Sequence, residues 1–124
     1  MTIIQMLQKL SEIVPGVCKC LVYSGGDSFL IGDYVFWESN DGKLAAELND
    51  DLTIMVFGPP ALAWLQAAIQ QVIDAEGWEY QYYFSKGRQH IVTIWTDDTM
   101  FEYASPTVAE VFLSSYLRAK GVEL

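Results

Sequence analysis

An aromatic hairpin pattern over residues 78–95 constrains the fold of this chain more than any other feature. Two strand-like runs, 78–84 and 88–95, flank Ser85-Lys86-Gly87. A three-residue loop that ends in Gly is typical of a type I turn followed by a bulge. The register that follows places three aromatic residues opposite the second run, namely Trp78, Tyr80 and Tyr82 opposite Ile94, Val92 and His90. We therefore expect two paired strands whose aromatic face packs against a helix.

Three segments have the apolar spacing of amphipathic helices. The first covers 3–14, and Thr2 followed by Gln5 predicts a capping box at its start. The second covers 59–76, beginning at Pro59-Pro60 and ending before Gly77. For the third, Ser105-Pro106 predicts the start, with Ser as N-cap and Pro in the first helical position, and Gly121 follows its end.

The remaining strand predictions are 17–23, 29–38, 43–48, 52–57 and 100–104. Turn compositions separate them: Ser24-Gly25-Gly26-Asp27, Asn40-Asp41-Gly42, Asn49-Asp50-Asp51 and Thr96-Asp97-Asp98-Thr99. The segment 43–57 is compatible with strand or helix, since Lys-Leu-Ala-Ala-Glu-Leu also has high helix propensity. The predicted fold class is α+β: an antiparallel sheet of about four to six strands packed with three amphipathic helices in a layered sandwich. With no linker evident, we expect a single domain over 1–124.

The net charge limits the possible partners. Sixteen acidic residues face seven basic ones, which gives −9 at pH 7. Such a balance argues against direct nucleic-acid binding, which needs a basic stripe, and against an anionic membrane surface. A protein partner with a basic surface fits better. The N-terminus has no basic start and no apolar run is long enough to span a bilayer, so a cytoplasmic location is expected.

No catalytic, cofactor or metal-binding motif is evident, so we expect no enzyme activity, no cofactor and no metal. Cys18 and Cys20 are predicted to be free apolar side chains on one strand face, because an i, i+2 pair on a strand is too far apart for a disulfide. His90, the single histidine, lies in the predicted hairpin and has no Gly-x-Ser-x-Gly motif to accompany it. The acidic pairs Asp50-Asp51 and Asp97-Asp98 lie in turns and are interpreted as solvated.

The second half of the chain resembles the phage-encoded domains grouped as ABA-sandwich proteins. The resemblance covers 61–123: the helix that ends at Gly77-Trp78, the aromatic hairpin, and the tail from Ala104-Ser105-Pro106 to Gly121-Val122-Glu123. The resemblance implies a phage or prophage origin, and hence the cytoplasm of a bacterial host; the family has no established activity to carry over.

Two surfaces are candidates for interaction. The first combines acidic and aromatic residues of the segment 27–51, which suits a basic partner: Asp33, Tyr34, Trp37, Glu38, Asp41, Glu47, Asp50 and Asp51. The alternative interpretation is a solvated hairpin whose aromatic residues belong to the core. The second candidate is the mixed face of the 78–95 hairpin, where Tyr83, Ile91 and Trp95 would mediate self-association into a homo-oligomer.

The sequence therefore favours a small, acidic, non-enzymatic binding protein of phage origin that occupies a basic surface of a host or defence protein, as an inhibitor. One alternative is an immunity or antitoxin-like inhibitor of a toxin enzyme. Others are a structural or oligomer-forming protein and an enzyme whose site has no recognised motif.

Overall fold

A computed structural model describes residues 1–23 and 26–124, without the side chains of 23 and 51–53. Of the turn predicted over 24–27, the first two residues lie outside the described residues, and the second two are strand instead of turn, because Gly26 and Asp27 pair with the preceding strand. Three helices lie in this part of the chain: α1 (Ile3–Ile13), α2 (Pro59–Ala75) and α3 (Val108–Ala119). The strands are β1 (Cys18–Tyr23), β2 (Gly26–Ile31), β3 (Tyr34–Glu38), β4 (Leu44–Leu48), β5 (Asp51–Phe57), β6 (Glu79–Phe84), β7 (His90–Trp95) and β8 (Met100–Ser105).

The chain divides into two compact units, Met1–Ala68 and Ile69–Leu124. Helix α2 contributes its first part to one unit and its second part to the other. The α+β class with three helices and antiparallel strands is confirmed, but the strands form two sheets, of five and three strands. The single domain over 1–124 stays a prediction.

The first unit is an antiparallel meander in the order β1-β2-β3-β4-β5. Its buried face carries Phe29 and Phe36, which lie opposite each other on β2 and β3. Helix α1 packs against β1 and β2, and the Cys18 thiol donates a hydrogen bond to the carbonyl of Leu7 at 3.7 Å. The predicted capping box of α1 is confirmed, since Thr2 and Gln5 exchange hydrogen bonds between side chain and backbone.

Two predictions for the first unit are settled by its strands. The single strand expected over 29–38 is wrong, because the chain turns at Gly32-Asp33 and separates β2 from β3. Gly32 takes a φ of 59°, in the left-handed region that glycine enters at little cost. The open question over 43–57 is decided in favour of strands β4 and β5, and the hairpin turn at Asn40-Asp41-Gly42 is confirmed.

The second unit is a three-stranded antiparallel sheet, β6-β7-β8, with α3 packed along β7 and β8. The ring of Phe112 on α3 contacts the rings of Tyr80 and Tyr82 at centroid distances of 5.5 and 5.8 Å. The aromatic face of the hairpin therefore packs against a helix, as the alternation predicts.

The register of this hairpin differs from the prediction. Tyr80 lies opposite Ile94, Tyr82 opposite Val92 and Phe84 opposite His90. The loop comprises Lys86, Gly87 and Arg88, and Arg88 instead of Gly87 has the positive φ, 61°. A loop displaced by one residue moves each cross-strand partner by two, so every side chain keeps its face.

The start of α3 also differs from the prediction. Ser105 is the last residue of β8, where it pairs with His90, so its backbone is held in the sheet and cannot serve as N-cap. The N-cap is Thr107, and Pro106 precedes the helix. Gly121 follows the helix with a φ of 94°, which confirms the predicted end.

None of the helices in the described residues is both long and apolar enough to cross a bilayer.

Candidate partner-binding groove

One face of the five-stranded sheet carries a cross-strand pattern of aromatic, apolar and acidic side chains. Trp37 lies opposite Ala45, which lies opposite Phe57. In the adjacent row Val35 lies opposite Glu47, which lies opposite Met55. Since residues opposite each other in an antiparallel pair project from the same face, Trp37, Glu47 and the two β5 side chains share one surface.

This surface forms part of a concave groove with a cavity volume of about 780 Å³. The groove, called the acidic groove below, is lined by three acids (Asp27, Glu38, Glu47), four apolar residues (Ile4, Trp37, Met55, Phe57), and Gly26, Ser28, Ser39 and Asn40. Met55 and Phe57 are 44% and 47% exposed, so apolar surface is accessible within it. Among the described residues, no lysine, arginine or histidine contributes to this lining.

The three carboxylates of the acidic groove make no ion pair with any described residue. The ion pairs in this part of the chain join Lys43 to Asp41, at 3.9 Å, and Lys120 to Glu76, at 2.9 Å. The charge of Asp27 acts on its neighbour Cys20: burial of the Cys20 thiol and, to a smaller extent, Asp27 raise the pKa of that thiol. The groove therefore combines uncompensated negative charge with an accessible aromatic wall.

Asp41 has a structural role beside the groove. It accepts hydrogen bonds from the Ser39 hydroxyl and from the backbone N–H of Lys43, which closes the turn between β3 and β4. These bonds lower the pKa of Asp41, and the bond from Ser39 has the largest effect. The Asp41 carboxylate therefore stabilises the turn that connects β3 to β4.

The structure brings together some of the predicted site residues and separates others. Trp37, Glu38 and Glu47 line the groove. Asp33 and Asp50 lie in the turns β2–β3 and β4–β5, outside the groove lining, although both are exposed.

Tyr34 lies half-buried in the unit, with its ring 5.5 Å from that of Trp64 and 6.1 Å from that of Phe36. This is the core position that the alternative interpretation gives to the aromatic residues of the segment. Asp51 begins β5, and its side chain lies outside the description.

The groove also contains residues absent from the predicted set. Met55 and Phe57 are aligned with Glu47 and Trp37 only by the pairing of β4 with β5. Alternation within 51–57 could have indicated which residues share a face, but it could not reveal which side of the sheet is open.

On the second unit, the predicted self-association residues share the sheet face opposite to the aromatic one. Tyr83 lies opposite Ile91, and Trp95 lies at the far end of β7, opposite Glu79. Tyr83 and Trp95 are 44% and 38% exposed, and Ile91 is half-buried. Self-association through this face stays a prediction.

The other chemistry-bearing residues have structural partners. The rings of His90 and Tyr82 stack, and the Tyr82 hydroxyl lies 2.5 Å from His90 Nδ1. Cys18 and Cys20 are free thiols, and burial raises the pKa of Cys18 to about 12, where the reactive thiolate is scarce at neutral pH. Within residues 1–23 and 26–124, no three His, Cys, Asp or Glu side chains are grouped so as to hold a metal ion.

Comparison with known proteins finds no family model, no curated protein and no solved structure that matches this chain. The resemblance to phage ABA-sandwich domains therefore stays a prediction.

Proposed function

We propose that this chain is a binding protein whose acidic groove takes up cationic side chains from a basic protein surface. The observation that carries the proposal is the lining itself: three carboxylates with no ion-pair partner among the described residues line one groove with the half-buried Trp37 and the exposed Met55 and Phe57. Carboxylates attract a cation over distance, and apolar walls cover its aliphatic stem on contact.

The aromatic wall favours arginine over lysine. A guanidinium group is planar, stacks on an indole face and remains able to bond to a carboxylate in the same plane. Glu47 projects from the same sheet face as Trp37, in the neighbouring cross-strand row, so its carboxylate is the one placed to bond a guanidinium stacked on this indole. Arginine-rich surfaces occur where proteins bind nucleic acid, so the proposal includes an inhibitor that occupies such a surface on a host or defence protein.

The test uses a fluorescent oligo-arginine peptide as probe. The groove variant Asp27→Asn/Glu38→Gln/Glu47→Gln is compared with the control Asp97→Asn/Asp98→Asn/Glu123→Gln, which removes the same charge from exposed positions of the second unit. We expect the groove variant to bind about tenfold more weakly than the control, since each exposed ion pair contributes up to about 1 kcal/mol. Fluorescence polarisation at two salt concentrations measures both affinities. Equal losses in the two variants would mean that net charge alone attracts the peptide, and would overturn the proposal.

A second comparison separates the aromatic wall from the carboxylates. The wild-type protein should prefer oligo-arginine to oligo-lysine of equal length, and Trp37→Leu should remove most of that preference. A preference that survives the substitution would exclude Trp37 from the binding surface.

A further inference from the structure

Strand β6 is an exposed edge of the three-stranded sheet. It pairs with β7 on one side only, and α3 packs along β7 and β8. Its side chains are exposed except for the half-buried Tyr80, and Phe84 reaches 56% exposure. An exposed strand edge offers unpaired backbone groups to another strand.

The loop geometry shows which backbone groups of β6 point outward. The N–H of Ser85 donates to the carbonyl of Gln89 at 2.9 Å, so Ser85 and Gln89 form a hydrogen-bonded pair. Bonded and non-bonded pairs alternate along an antiparallel ladder, so Gln81 and Tyr83 bond to β7. The N–H and C=O groups of Tyr80, Tyr82 and Phe84 therefore face the open edge.

Apart from Glu79 at its first position, the sequence of β6 lacks the features that usually block an edge. It contains no proline, lysine or glycine, and its pairing with β7 is continuous from Glu79 to Phe84. Natural proteins protect free edges with charges, prolines or bulges. Here aromatic side chains with high strand propensity border the open edge instead.

We propose that β6 pairs antiparallel with β6 of a second copy of this chain, about a two-fold axis that passes near Tyr82. In this register Tyr82 faces its counterpart and Tyr80 faces Phe84, so the three outward-facing residues all exchange backbone hydrogen bonds. The even spacing also keeps the aromatic faces of both sheets on the same side. The two three-stranded sheets thereby become one continuous sheet.

The charges at the two ends of β6 specify this antiparallel arrangement. Glu79 begins the strand, and Lys86 and Arg88 follow its end. None of the three makes an ion pair with a described residue. Within one chain Glu79 and Lys86 are about 20 Å apart along the chain direction. Antiparallel pairing about Tyr82 places Glu79 of each copy opposite Ser85 of the other, next to Lys86, the first residue of the loop. A second copy is therefore complementary to this edge despite the net charge of −9.

A charge exchange tests the proposal. Molar mass is measured by sedimentation equilibrium over about three decades of concentration. Wild type should form a dimer; Glu79→Lys and Lys86→Glu should each raise the dissociation constant by about tenfold, because two attractions become two repulsions. The double variant Glu79→Lys/Lys86→Glu should restore wild-type association. A wild type that stays monomeric, or a double variant as weak as the single ones, would overturn the proposal.

A second pair of variants tests the register, since Gln81 of one copy lies opposite Tyr83 of the other. Gln81→Lys/Tyr83→Lys places like charges across the axis and should abolish the dimer. Its matched control Gln81→Lys/Tyr83→Glu loses the same two side chains and places opposite charges there, so it should dimerise. Circular dichroism establishes that both are folded. If both variants dimerise as the wild type does, association uses another surface and the β6 pairing is wrong.

Discussion

At the scale of single residues, Arg88 stores backbone strain. Among the described residues it is the one non-glycine residue with a positive φ, 61°. Holding an L-residue with a Cβ in this conformation costs about 1–2 kcal/mol, and glycine avoids that cost. We expect Arg88→Gly to raise the free energy of unfolding in urea by about 1 kcal/mol.

Gly87→Ala is the control for Arg88→Gly, because Gly87 is not in the left-handed region and a Cβ there meets Ser85 Oγ at an ordinary 3.7 Å. It should change the free energy of unfolding by about 0.5 kcal/mol or less. A destabilised Arg88→Gly protein together with a destabilised Gly87→Ala protein would place the left-handed residue at 87, as the sequence pattern predicts.

A second residue-scale prediction concerns the pH dependence of stability through Glu76. Its carboxylate accepts hydrogen bonds from Lys120 Nζ at 2.9 Å and from the hydroxyl of the buried Tyr116 at 3.0 Å. These bonds lower the pKa of Glu76 below its ordinary value of 4.5, and the bond from Lys120 has the largest effect. A carboxyl group whose pKa is lower in the folded than in the unfolded protein stabilises the fold at pH values above its unfolded-state pKa. This stabilisation is lost as the pH falls through the folded-state pKa.

Glu76→Gln should therefore be less stable than wild type at pH 7, by about 1–2 kcal/mol, and nearly as stable at pH 3. Urea denaturation of both proteins across this range measures the difference, and the other carboxyl groups cancel because both proteins share them. A constant difference at all pH values would show that the charge of Glu76 makes no contribution.

At the scale of elements, the sequence predicts most of the helices and strands but misses the places where tertiary pairing decides. Local signals were sufficient for the capping box at Thr2 and for the turn at Asn40-Asp41-Gly42. Gly32-Asp33 is a local signal of the same kind, a Gly-Asp pair between two strand-like runs, and the prediction of one strand over 29–38 overlooks it. The start of α3 was missed for a different reason, since pairing with β7 extends β8 through Ser105.

This arrangement at the start of α3 leads to a prediction about its two hydroxyl residues. Ser105 is buried, and its hydroxyl accepts a hydrogen bond from the N–H of Thr107 at 3.3 Å and lies 3.4 Å from Glu110 Oε2. Thr107 is the N-cap, but its side chain makes no capping bond. Ser105→Ala should thus cost about 1 kcal/mol, and Thr107→Ala clearly less. Thermal denaturation compares the two, and a larger loss at Thr107 would mean that its hydroxyl caps the helix in solution.

At the scale of the whole molecule, the candidate site was only partly predictable. Composition and charge pointed to Trp37, Glu38 and Glu47, which line the acidic groove. The sequence does not predict that Met55 and Phe57 line the groove. Their alignment depends on the register of β4 with β5, which shifts between Glu47 and Leu48. Cross-strand register is a non-local property, and an irregularity of this kind leaves no signal in either strand alone.

Whether the two units unfold together is the remaining question at this scale. The first unit includes Leu65 of α2 and the second includes Ile73, and both side chains are fully buried. A helix is marginally stable in water without packing, so loss of either unit removes support from the helix that continues into the other. We expect one transition in scanning calorimetry, with equal calorimetric and van't Hoff enthalpies.

Leu65→Ala and Ile73→Ala place one cavity in each unit and should both lower the temperature of that single transition by about 10 °C. The control is Ala63→Gly, at an exposed position of the same helix, which lowers helix propensity without making a cavity. It should lower the transition temperature by only about 4 °C. Two transitions, each moved by only one of the cavity variants, would instead divide the chain into two domains within α2. In that case the acidic groove and the β6 edge would belong to modules that fold separately.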